Sequence, residues 1–96
     1  MKRAVATRLL REQLDELRRY HVRSLALFGS VARDDARADS DVDILVDLDE
    51  TPSLHAFLGL KARLEELLGR PVDLVTRGSI PARKRPRIEA ESIVVA

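Results

Sequence analysis

Gly29-Ser30 closes one apolar run, ten residues follow, and Asp41-Val42-Asp43 opens a second apolar run. Glycine lets backbone approach a phosphate closely, and a serine where a helix begins adds a hydroxyl and backbone N–H groups as anion donors. Two acids separated by one residue on a strand project from the same face. Carboxylate oxygens are what Mg2+ requires, and two ions roughly 4 Å apart stabilise the attacking and leaving oxygens of an in-line displacement. The spacing therefore points to phosphoryl or nucleotidyl transfer from a magnesium-bound nucleoside triphosphate, a reaction governed by the positioning of charge.

Asp73 is the natural third carboxylate, because a neighbouring strand can carry it across a sheet to Asp41 and Asp43, where it could also help deprotonate an attacking hydroxyl. Arg33, about one turn beyond Ser30, either contacts a phosphate or pairs with Asp34 or Asp35. Asp47 lies four residues beyond Asp43, about 13 Å along a strand, too far to share its ion. Taken singly, Gly-Ser is an ordinary turn, Asp-x-Asp a strand entrance and Asp73 a structural acid. Asp39, Asp41, Asp43 and Glu50 also mimic a calcium-binding EF-hand loop, but Ile44 stands where that loop needs glycine. His21 and His55 lie apart and read as helix-end or surface residues. It is the combination at these spacings that favours nucleotidyl transfer.

The 96 residues support one small domain, 1–96, and no second catalytic domain is expected. With Tyr20, Phe28 and Phe57 as the sole aromatics, the core is aliphatic and recognition of nucleic acid by base stacking is disfavoured. The absence of cysteine excludes disulfides, thiolate metal sites and a cysteine nucleophile. No apolar run approaches the roughly 20 residues of a membrane span and no signal-peptide core is visible, so a cytoplasmic location is expected. A net charge of +1 conceals an asymmetry: residues 39–50 carry six acids and no base, and residues 77–87 five bases and no acid. For the basic stretch a solvated face or a complement to the acids is favoured over nucleic-acid binding.

These side chains need a scaffold. Val5, Leu9, Leu10, Leu14 and Leu17 predict one amphipathic helix over about 5–20. Val22 to Phe28 reads as a buried strand, Ser30 to Arg33 as a short helical turn with Ser30 at its N-cap, and Asp34 to Ser40 as a loop. Asp41 to Asp49 alternates as a strand, with Val42, Ile44, Val46 and Leu48 on the core face. Thr51-Pro52-Ser53 starts a helix whose apolar stripe is Leu54, Phe57, Leu58, Leu64, Leu67 and Leu68, ended by Gly69. Val72 to Thr76 is a further strand, and strand, helix, strand predicts a right-handed crossover joining parallel neighbours. A last helical turn over Pro86 to Glu91 precedes the apolar tail Ile93-Val94-Val95, which either packs on the domain or is covered by a partner.

Gly29-Ser30, ten residues, Asp41-Val42-Asp43 and an apolar strand resemble the active-site signature of the DNA polymerase beta-like nucleotidyltransferase superfamily. The short length, Gly69-Arg70-Pro71-Val72-Asp73-Leu74-Val75 and the ending Ile88-Glu89-Ala90-Glu91 resemble its minimal nucleotidyltransferase (MNT) branch. The resemblance implies an α/β (α+β) fold, a small mixed sheet of about three to four strands flanked by helices. It implies that Gly29 and Ser30 hold the triphosphate and that Asp41, Asp43 and Asp73 are the metal triad. It further implies transfer of AMP from ATP to a tyrosine of a HEPN-domain toxin, with this chain as the antitoxin in a hetero-oligomer. One position departs: Asp34 stands where the family commonly has glycine, which implies a reshaped turn and a negative charge near the phosphates. The competing classes are a non-catalytic antitoxin that neutralises its partner by covering it, and transfer to RNA or a small molecule such as an aminoglycoside.

Overall fold

The computed structural model describes all 96 residues, from Met1 to Ala96. The amphipathic N-terminal stretch forms two helices, α1 (Arg3–Arg11) and α2 (Leu14–Arg18), not one. The break falls at Gln13, whose φ of −117° and ψ of 21° leave the helical region. It lets one stretch serve two partners, since α1 packs on the long helix of the domain while α2 turns Leu17 onto the first strand.

That strand, β1 (Val22–Phe28), runs directly into the four-residue helix α3 (Gly29–Ala32). The helix begins earlier than the sequence suggests: Phe28 occupies the N-cap, and Ser30 sits within the first turn. A loop over 34–41 leads to β2 (Val42–Leu48), and α4 (Leu54–Leu68) then returns the chain to β3 (Val72–Thr76). Ser53 caps α4, its hydroxyl accepting from the Ala56 N–H at 3.0 Å, and Gly69 ends it in the left-handed region. A single turn of 3-10 helix (Arg77–Ser79), α5 (Arg85–Glu91) and β4 (Ile93–Val94) complete the chain.

The four strands form one mixed sheet in the order β3-β2-β1-β4. β2 and β3 are parallel, while β1 pairs antiparallel with both β2 and β4. The tail packs on the domain as an edge strand, with Val95 buried. Helices α1, α2 and α4 cover one face, where Ala6, Leu10, Leu17, Leu27, Ile44 and Leu64 are fully enclosed. Each of these Leu and Ile side chains contributes roughly 1.5–3 kcal/mol by leaving water.

The opposite face is only partly covered. Ala26 and Leu45 are buried there beneath Ile80, and half-buried Phe28, Val75 and Ile88 complete a second small cluster. Asp43 shares this face with Leu45, because strand side chains alternate. Along α4 the buried positions are Leu60, Leu64 and Leu68, a strict i, i+4 row, whereas Leu54 and Leu58 are 75% and 50% exposed. No helix is long and apolar enough to cross a membrane.

Candidate active site

At the end of β1 the chain must reverse into α3 beside β2, and Gly29 makes that reversal with φ +69°. The register places Phe28 opposite Asp43, so the Asp43 carboxylate lies against the Gly29 backbone. A Cβ built on Gly29 would collide with Asp43 Oδ2 and stand 2.9 Å from its Cγ. Glycine is therefore needed twice over, for the left-handed backbone and for the close approach of a carboxylate.

Across the sheet, parallel pairing sets Asp43 directly beside Asp73. Neighbouring strands are about 4.8 Å apart, so two acids on one face at paired positions confront each other closely. Asp41 joins from the residue just before β2. Burial pushes the Asp43 pKa up to about 6, and the charges of Asp73, Asp41 and Glu91 push the same way, while Arg33 opposes them. Negative charge is thus concentrated beyond what the protein's own cations neutralise at this spot. The acids do not close into a ready-made metal cage. Oxygen donors at this density nonetheless suit Mg2+, which takes one or two carboxylates and completes its shell with water and substrate phosphates.

Arg33 follows α3 and is held between two carboxylates, with Nε to Asp35 Oδ2 at 3.3 Å and Nη1 to Glu91 Oε2 at 3.1 Å. Of the two neighbours considered from the sequence it takes Asp35, not Asp34. Asp34 instead faces the other way: its Oδ1 accepts from the Arg3 N–H at 2.9 Å, at the start of α1. Its φ of +63° shows why glycine suits this position, and its charge serves a helix N-terminus, a favourable place for an anion.

Glu91 is the residue that sequence reasoning missed. The Gly29 N–H donates to its Oε1 at 3.2 Å, across a separation of 62 residues. The pairing of β4 with β1 and the packing of Ile88 return the tail to the Gly-Ser turn, and the sole sequence signal is its place in the Ile88-Glu89-Ala90-Glu91 ending. Asp47 stands clear of the acids, 3.9 Å from Arg23 Nη1, and His21 pairs with Glu50 at 3.3 Å. His55 is exposed on α4. The clefts of the surface run beside α1, along the far ends of β2 and β3, and over the sheet beside β1 and β4, lined by none of Asp41, Asp43 and Asp73. Asp41 and Asp73 are exposed, and Asp43 is half-buried.

The profile of the family described as "Nucleotidyltransferase domain" matches residues 8–95. The protein adenylyltransferase MntA of Thermococcus cleftensis is 54% identical over 66 residues, 68% of this chain and 67% of that one. A solved structure described as a candidate minimal nucleotidyltransferase superposes with a TM-score of 0.82 at 38% identity, over 97% of this chain and 95% of the other. A chain from a complex of a tri-AMPylated Shewanella oneidensis HEPN toxin with MNT antitoxin shares the fold at 22% identity and a TM-score of 0.69, over 94% and 71% of the two chains. By sequence over nearly its whole length and by fold, the chain belongs to the nucleotidyltransferase domain family, in its minimal, polymerase beta-like branch.

Proposed function

We propose that this protein transfers AMP from ATP to a tyrosine hydroxyl of a HEPN-domain toxin and acts as that toxin's antitoxin. The observation that carries the reading is the paired position of Asp43 and Asp73 on adjacent parallel strands, across from the Gly29 turn. Asp41, Asp43 and Asp73 are the groups that would hold two Mg2+ ions. When bound, those ions supply the positive charge that an in-line displacement at phosphorus needs. Gly29 and Ser30 present backbone N–H groups and a hydroxyl to the triphosphate, and Arg33 adds a guanidinium. Asp73 accepts the proton of the attacking hydroxyl as its oxygen bonds to the α-phosphorus, and pyrophosphate leaves with the electron pair of the broken bond. Residues 1–96 serve as the single catalytic domain in this reading, and use of ATP places the reaction in the cytoplasm.

The acceptor is a macromolecule in this reading. The protein adenylyltransferase relative and the AMP-bearing toxin complex support the same choice. Incubation with ATP labelled at the α-phosphate, Mg2+ and the protein encoded by the adjacent gene is expected to label that protein. Absence of label, or labelling that survives Asp41→Asn, would refute the catalytic role.

A second reading is neutralisation by covering. Leu54 and Leu58 on α4 and Val94 on β4 leave large apolar side chains 50–75% exposed, surfaces suited to a partner. Toxin neutralisation undiminished by joint replacement of Asp41, Asp43 and Asp73 with Asn would favour it.

A further inference from the structure

We propose that Glu91 is a built-in competitor for the nucleotide: its carboxylate bridges the donors that hold the triphosphate, and ATP must displace it to bind. This inference rests on the reading of Gly29 and Arg33 as triphosphate donors. Both oxygens of Glu91 are engaged, Oε1 by the Gly29 N–H at 3.2 Å and Oε2 by Arg33 Nη1 at 3.1 Å. One backbone N–H and one guanidinium, bridged by two oxygens of a single anion, is the arrangement a phosphate group adopts on the same donors. The carboxylate thus satisfies the turn in the absence of ligand, although it stands among like charges close to Asp43.

The device is built to yield. Glu91 is the last residue of α5, a helix of seven residues with none buried, attached chiefly by half-buried Ile88. Its further tie is an exposed ion pair, Arg77 Nη2 to Glu89 Oε1 at 3.7 Å, of the kind that adds little to stability. A rotation of the Glu91 side chain, or a small shift of α5, frees both donors without disturbing the sheet. Binding then carries the cost of opening, and the apparent affinity is lowered by the fraction of molecules in which the turn is free.

Calorimetric titration of ATP into the parent protein, Glu91→Gln, Glu91→Ala and Asp35→Asn, each with Mg2+ and with EDTA, tests this. Both Glu91 variants are expected to bind ATP roughly tenfold more tightly than the parent in both buffers. Asp35→Asn removes the other carboxylate on Arg33 but nothing from the Gly29 N–H, and is expected to stay within about twofold of the parent. Binding by the Glu91 variants that is unchanged or weaker, while the parent binds ATP, would overturn the competitor role and leave the triphosphate reading standing. Equal tightening by Asp35→Asn would overturn it too, as a general effect of charge. Failure of every variant to bind ATP, with circular dichroism showing folded protein, would overturn the triphosphate reading and this inference with it.

Discussion

Replacing Asp43 with Asn tests the electrostatics of the site through stability, without any substrate. Burial and the charges of Asp73, Asp41 and Glu91 raise the Asp43 pKa to about 6, against the ordinary carboxylate value near 3.9 in the unfolded chain. The folded protein therefore binds more protons than the unfolded chain between about pH 4 and 6, and stability falls as pH rises through that window. Above it the whole cost persists. A rise of about two pH units corresponds to about 3 kcal/mol, which solvent around a half-buried carboxylate reduces to about 1–2 kcal/mol. Asn keeps the shape and removes the charge, so Asp43→Asn is expected to melt about 5–10 °C above the parent at pH 7.5 in EDTA. The gap should close to about 2 °C at pH 4, where both forms are neutral. Circular dichroism melts from pH 4 to 8 measure this, with Asp47→Asn, a strand carboxylate paired with Arg23, as the control. An Asp43→Asn protein less stable than the parent at pH 7.5, or a gap independent of pH, would show that the Asp43 charge does not burden the fold.

Gly29→Ala introduces a Cβ both at positive φ and against the Asp43 carboxylate, and is expected to destabilise by about 2–4 kcal/mol by urea unfolding. Adding Asp43→Ala to it removes the collision and should recover all but about 1–2 kcal/mol while leaving AMP transfer abolished. At Asp34, Ala keeps the strained positive φ and loses the bond to the Arg3 N–H, whereas Gly loses the bond but relieves the strain. Asp34→Ala is accordingly expected to be about 1–2 kcal/mol less stable than Asp34→Gly in the same urea experiment.

The readable parts of the fold were those set by local pattern. Alternation along 41–49 sets Asp43 on the face opposite the core, where β2 carries it, and the succession of strand, long helix and strand sets Asp73 alongside. Ser53 and Gly69 bounded α4 because capping chemistry is local. What escaped depended on partners distant in the chain. The break at Gln13 follows from α1 and α2 facing different elements, which no periodicity within 5–20 encodes. The apolar stripe read from the sequence takes in Leu54 and Leu58, which are exposed, and leaves out Leu60, which is buried, because the position of β3 and α1 decides which leucines are covered. Glu91 joins the Gly-Ser turn because two residues of β4 pair with β1, a contact too short to leave a pattern. Asp34 was legible as a departure, but its direction was not, since Arg3 lies 31 residues away.

We propose that Asp41, Asp43 and Asp73 form the centre at which AMP leaves ATP for a partner protein. Intact-mass measurement of the HEPN partner, after incubation with ATP, Mg2+ and this protein, tests it most directly. The partner is expected to gain whole adenylyl groups with the parent protein and none with Asp41→Asn or Asp73→Asn, each still folded and still bound to the partner. A partner unmodified by the parent protein, or modified equally by the Asn variants, would contradict it.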